Sequence, residues 1–264
     1  MMAPMIYSLV VYSLLFARFD EASALAPWRS VSSSSGLLGC RTLGPSPRRY
    51  HRSPTSALSA LPKDELLRLT EEYLANPSPD WWAEDFVFRG PVIGPLVKRD
   101  LIATLESVGS DTSVAFPDLE INSFGLTADD PIDPNRVWYF VRPRGTFLGP
   151  FRHPVVGLIE PTGAAYVGPP EARSVIWDDS GKIRYQSVGY VTDRFTGDTT
   201  GGRGAVFGQY AVMGQEIDAT VGSTATVLLQ RLAGMLPEGM IPKSYSKRED
   251  VPDWWNDERM GAEA

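Results

Sequence analysis

The stretch Arg173-Ser-Val-Ile-Trp-Asp-Asp-Ser-Gly-Lys-Ile-Arg-Tyr-Gln-Ser-Val-Gly-Tyr-Val-Thr-Asp-Arg-Phe195 decides how the rest of the chain is read. Two runs rich in β-branched and aromatic residues flank Asp178-Asp179-Ser180-Gly181, and polar turn formers ending in Gly between such runs signal a β-hairpin. Side chains at every second position of a strand share a face. Ile183, Tyr185, Ser187, Gly189, Val191 and Asp193 are therefore expected to point one way, and Lys182, Arg184, Gln186, Val188 and Tyr190 the other. The first set is the more apolar and ends in an acid. If that side is buried, Asp193 stands at the edge of an apolar interior, where a carboxyl group is suited to proton transfer.

Working outward, the 264 residues divide into a leader of about 60 and a body of about 200, enough for one well-buried domain. The one cysteine, Cys40, falls in the leader, so disulfides, thiolate nucleophiles and Cys-based zinc or iron–sulfur sites are excluded from the body. Of the two histidines, His51 is in the leader and His153 is alone in the body. A Ser-His-Asp triad would have to use His153, and a multi-His metal site is ruled out. No metal or redox cofactor is expected. The net charge of −7 understates the body's acidity: the first 60 residues carry six Arg and two acids, leaving 19 basic and 30 acidic residues, or −11, beyond them. That balance argues against nucleic acid and anionic membrane surfaces as partners.

The leader carries two targeting signals in series. Ile6 to Phe16 is an uncharged apolar run, short for a membrane span and suited to a signal peptide, with small residues at Ala22-Ser23-Ala24 for cleavage. From Ala22 to Lys63 there is no acid, against ten Ser and six Arg or Lys, the composition of an organelle transit peptide. The junction Ala22-Ser-Ala-Leu-Ala-Pro27 resembles the bipartite presequence of algae with secondary plastids, with Leu25 in place of the usual aromatic. The resemblance implies delivery to the plastid stroma, with residues 1–24 as signal peptide and 25–60 as transit peptide. An ordinary signal peptide followed by a Ser-rich linker is the alternative, and no stable membrane span is expected once the leader is removed.

In the body, Pro62 with Asp64 and Glu65 starts a helix whose apolar face is Leu66, Leu69 and Tyr73, ended by Asn76-Pro77. Asp85 to Arg89 reads as a short strand and Lys98 to Val108 as a second helix stopped by Gly109. The period then changes to two, over Asp118–Phe124 and again over Arg136–Arg142, and Gly145–Gly149 continues or bulges the sheet. After the hairpin, Thr196 to Gly204 is Gly-rich and reads as a flexible loop, and Ala225 to Leu236 has helical apolar spacing. Trp254-Trp255 stands in a charged tail, where the pair could dock on this chain or on a partner.

Helices followed by successive strands make an α+β order. From about Pro62 to Gln215 the chain resembles the SnoaL-like branch of the NTF2-like superfamily. The resemblance is carried by Phe116-Pro-Asp-Leu-Glu-Ile121, Gly145-Thr-Phe147, Pro161-Thr-Gly163, Asp179-Ser-Gly-Lys-Ile183 and Tyr190-Val-Thr-Asp193. It implies a cone: a strongly curved antiparallel sheet with N-terminal helices packed on it around an apolar pocket. Members include polyketide cyclases, ketosteroid isomerases, dehydratases and non-catalytic proteins. In the cyclases an Asp on the strand after this turn is the acid/base, and Asp193 holds that position. The cyclases also place a His near the first arm of the hairpin, where Ala172, Arg173 and Ser174 stand here, and Ser180 is inserted in the turn, so the carry-over stops at Asp193. The domain is expected over 61–215, with a C-terminal helix and acidic, Trp-containing tail over 216–264.

The candidate catalytic residues are Asp193 as acid/base, with Tyr139 or Tyr185 supporting charge on a substrate oxygen. Trp138, Phe140, Arg144, Arg173, Ile183 and Val191 are the candidates for binding a hydrophobic small molecule. Each has a plainer reading: Asp193 as a strand-end Asp satisfying loop N–H groups, the arginines on a solvated face, the aromatics as core. His153, before Pro154, is expected in a surface loop, and Asp178-Asp179 reads as turn chemistry. Two functions follow: a cofactor-independent isomerase, cyclase or dehydratase, or a non-catalytic ligand-binding or assembly module that could form a homodimer. An inward, desolvated Asp193 favours the first and a solvent-facing one the second.

Overall fold

Helix α1, Lys63–Ala75, lays Leu66, Leu69, Thr70 and Tyr73 on the sheet at the i, i+3, i+4, i+7 spacing of one helical face. A computed structural model describes residues 60–258 of the chain, apart from 107–109, 154–155, 216, 219 and 236–242. Residues 1–59 of the leader, the Gly109 helix stop and Leu236 therefore lie outside the described residues, all of which belong to one compact unit.

The main sheet is built from β1 (Trp82–Arg89), β2 (Leu96–Val97), β3 (Ser123–Thr127), β4 (Arg136–Val141), β9 (Glu171–Trp177) and β10 (Ile183–Val191), in the order β2-β1-β10-β9-β4-β3. The expected hairpin is β9–β10. Asp178 closes its turn, its side chain accepting from the N–H groups of Ser180 and Lys182, while Gly181 takes a left-handed φ of 77°. One strand pair departs from the all-antiparallel expectation: β1 runs parallel to β10, which makes the sheet mixed. Helices α2 (Lys98–Thr104) and α3 (Ser110–Ala115) follow β2, and α2 packs on β1. This is the expected α+β architecture, helices packed on a mixed, mostly antiparallel sheet.

Bulges overturn the simple alternation read for β10. Register shifts fall between Ile183 and Tyr185 and again between Ser187 and Tyr190, each inserting a residue and turning the following side chains over. Ile183 and Gln186 thus face inward while Tyr185 faces outward, although Ile183 and Tyr185 are two apart. The inner face carries Val137, Tyr139, Val141, Val175, Trp177 and Ile183 beneath α1, with Trp82, Phe86 and Leu96 from the other edge. Trp177 Nε1 donates to Thr70 Oγ1 at 3.0 Å, tying the sheet to the helix.

A second cluster lies beside the main sheet. Short strands β5 (Arg144–Thr146) with β8 (Ala165–Val167), and β6 (Phe151–His153) with β7 (Gly157–Ile159), bring Phe147, Phe151 and Tyr166 against Phe116 and against Tyr210 of helix α4, Ala205–Val212. His153, expected in a surface loop, is buried on β6 between the rings of Phe151 and Tyr210. Alternation explains it: Phe151 and His153 share a face, and Phe151 is core. Burial holds the imidazole below its ordinary pKa of 6.5. A depressed histidine pKa contributes stability above the unfolded value and loses it as pH falls below that value. The stability of the wild type relative to His153→Phe is therefore expected to fall on acidification from pH 7.5 through 6.5 to 5.5 in urea titrations. A pH-independent difference would show that the imidazole is not titrating from a buried neutral state.

The tail docks on its own chain. Past helix α5 (Thr224–Gly234), the backbone of Ser244 and Ser246 bonds Gly94 and Pro95, and Ser246 Oγ accepts from Val97 N–H, covering the edge strand β2. Asp100 receives Ser246 Oγ at 2.6 Å and Lys243 Nζ at 3.0 Å. Burial pushes its carboxyl pKa up, but these bonds outweigh that and leave it below its ordinary value. Helix α6 (Asp253–Glu258) then seats Trp254 and Trp255 on the outer face against Val87 and Tyr185. No helix among the described residues is long and apolar enough to cross a membrane.

Candidate functional site

The inner face carries a group of polar side chains in an otherwise apolar setting. β4 pairs with β9 so that Tyr139 stands opposite Arg173, and Val141 opposite Glu171. One rung further, Gln186 Nε2 donates to the Tyr73 hydroxyl of α1 at 2.9 Å. Glu171 is fully buried: its Oε2 accepts from Arg173 Nε and Nη2, at 3.3 and 2.8 Å, and its Oε1 from the Ala205 N–H at 2.6 Å. Ala205 opens α4, so the positive end of that helix shares the carboxylate's charge.

The sequence before α4 is built for this approach. A Cβ at Gly204 would come within 2.8 Å of Val191 Cγ2 and 3.1 Å of Glu171 Oε1, so only glycine lets the helix start lie against the acid. The loop over Thr196–Gly204, read as flexible, is tied around Asp198, whose Oδ1 accepts from the N–H groups of Thr200 and Gly202.

Both tyrosines of the inner face keep their protons at neutral pH. Burial pushes the Tyr139 hydroxyl up to about 12, with the Arg173 charge opposing, and raises Tyr73 as well, against the bond from Gln186. Trp82 Nε1 lies near enough to Tyr73 to oppose that rise slightly, yet it is buried with no partner at hydrogen-bonding geometry. These groups can donate hydrogen bonds to an oxygen atom. The carboxylate among them has both oxygens engaged.

The sequence candidates separate into three places. Tyr139, Arg173 and Ile183 come together on the inner face, with Val191, the partner of Glu171, at its end. Trp138, Phe140 and Tyr185 lie on the outer face: Trp138 Nε1 donates to Asp130, Phe140 stacks on Phe124, and Tyr185 packs against Trp255. For Tyr185 the cause is the bulge after Ile183; for Trp138 and Phe140 it is the alternation of β4, whose inward residues are Val137, Tyr139 and Val141. Arg144, on β5, is exposed and paired with Glu120. Asp193 is exposed beyond the end of β10, and its Oδ1 accepts from the Phe195 N–H at 2.8 Å, the arrangement of a strand-end Asp closing a turn.

Sequence reasoning passed over Glu171, Gln186 and Tyr73. Tyr73 was legible only as core, and Gln186 was assigned to the wrong face because the bulges were not visible. A signal did exist for Glu171: an acid two residues before Arg173 on an apolar strand.

The sequence matches no protein-family model and none of the curated proteins. Among solved structures, the chain is similar to a candidate SnoaL-like polyketide cyclase from Jannaschia sp. CCS1, with 14% identity over 50% of this chain and 89% of that one and a TM-score of 0.34. It is also similar to IdmH, a candidate polyketide cyclase from Streptomyces antibioticus, with 16% identity over 47% and 88% of the two chains and a TM-score of 0.33. A phenazine biosynthesis-related protein from Pseudomonas aeruginosa is a third, at 17% identity over 47% and 77%, with a TM-score of 0.29.

Proposed function

We propose that the protein is a binding module that encloses a hydrophobic small molecule on the inner face of its cone and hydrogen-bonds an oxygen function of that molecule. One observation supports this reading above the others: Tyr73, Tyr139, Gln186 and the Arg173–Glu171 pair lie together in an interior that is otherwise apolar. A buried ion pair gives no more stability than well-packed apolar residues of the same volume, so packing alone does not account for it. Tyr139, protonated throughout the physiological range, would donate to the ligand oxygen, and Trp177, Val175 and Ile183 would meet its apolar body. The test is quenching of tryptophan fluorescence by a panel of apolar carbonyl and polyene compounds, since Trp82 and Trp177 line the interior. Saturable binding by at least one class is expected, weakened about tenfold in Tyr139→Phe. No saturable binding across the panel would sink the reading.

The second reading is acid/base isomerisation, cyclisation or dehydration through Asp193. Its place two residues beyond Val191, the β10 partner of Glu171, favours it, while the exposure of Asp193 and its bond to Phe195 favour the binding module. Under this second reading Asp193→Asn abolishes turnover of a bound ligand and leaves its affinity intact; unchanged turnover removes it. We also propose plastid delivery through the leader, on the composition of residues 1–60. A fluorescent fusion carrying those residues tests it, and retention outside the plastid would refute it.

A further inference from the structure

We infer that the molecule held on the inner face carries a carboxylate, and that Arg173 is the group that receives it. This rests on the small-molecule reading above and goes on to name the ligand's charge.

The hydrogen-bonding capacity left over on the inner face is mostly that of donors. Arg173 commits Nε and Nη2 to Glu171, which leaves Nη1, on a side chain 15% exposed, outside that pair. The Trp82 indole N–H is buried and unpartnered. The hydroxyls of Tyr73 and Tyr139 both lie against the Gln186 amide and each carries a proton to give, the Gln186 carbonyl being the acceptor among them.

Charge points the same way. Glu171 shares its negative charge between Arg173 and the start of α4, where the Ala205 N–H holds Oε1. Arg173 is therefore less than fully neutralised, within an interior where an anion gains from each donor. An amine would meet the guanidinium, and a dianion would exceed what one guanidinium and a helix end can balance. A monoanionic head on an apolar body matches the donors near Arg173 and the aromatic and aliphatic side chains around them.

The test titrates the full chain with cis-parinaric acid, a fluorescent polyene carboxylate, and with its methyl ester. The acid is expected to bind at least about tenfold more tightly than the ester, the difference a charge-assisted bond supplies. Arg173→Met is expected to remove that preference, so that the acid binds no more tightly than the ester. Because Met leaves Glu171 unpaired, the double variant Glu171→Gln/Arg173→Met is measured alongside it and is expected to show the same lost preference. Equal binding of acid and ester by the wild type overturns the carboxylate inference while the small-molecule reading survives. So does a preference that persists in both variants. Failure of the wild type to bind either probe overturns this inference; the small-molecule reading falls with it only if the wider panel of apolar carbonyl and polyene compounds also shows no saturable binding.

Discussion

Replacing Glu171 by leucine is expected to cost the fold about 3–5 kcal/mol, because a guanidinium only 15% exposed is then left without its buried anion. Two bonds from Arg173 and one from the Ala205 N–H disappear together, and leucine offers none of them an acceptor. The double variant Glu171→Leu/Arg173→Met is expected to recover most of the loss, since removing both partners of a buried pair leaves no orphan charge. The comparison is made by urea unfolding of the wild type, the single variant and the double variant. A single-variant loss below about 1 kcal/mol, the range of a solvated pair, would show that water reaches this carboxylate. The same result would weaken the case that the inner face is a dry, charge-bearing site.

Trp255→Ala is expected to be of similar size, about 3–5 kcal/mol, as the truncation of a buried aromatic. The Trp255 ring lies 5.7 Å from that of Tyr185, and with Trp254 it covers Val87 on the outer face. Trp254 adds a bond from its Nε1 to the Asp85 carbonyl and lies 4.4 Å beneath the Arg184 guanidinium. The two rings touch, so the losses of the single variants are expected not to add in Trp254→Ala/Trp255→Ala. Unfolding followed by circular dichroism reads both. A Trp255→Ala protein as stable as the wild type would mean that the tail does not hold the outer face.

The β9–β10 hairpin, helix α1, the strand from Arg136 and the helix from Thr224 were all legible in the residues, because each is specified by neighbours close in the chain. Asp178 and Gly181 make their turn with bonds that span at most four residues. The face of α1 follows from spacing, and so does the inward set Val137, Tyr139 and Val141 on β4, which has no bulge against β9. The plain reading of Asp193, as a strand-end acid bonded to a nearby N–H, was likewise available from local chemistry.

What the tertiary structure alone decided is which side chains meet across long stretches of chain. Alternation assumes one residue per pleat, and the bulges after Ile183 and Ser187 break that count, sending Tyr185 out and Gln186 in to Tyr73, 113 residues away. The parallel partnership of β1 with β10 has no signature in either strand, since both are equally β-prone. Glu171 becomes a buried carboxylate only because the start of α4, more than thirty residues later in the chain, folds back to give it the Ala205 N–H. Two adjacent tryptophans in a charged tail announce that they will be covered, but apolar area is not directional, and it is the seat formed by Val87 and Tyr185 that brings them onto their own sheet.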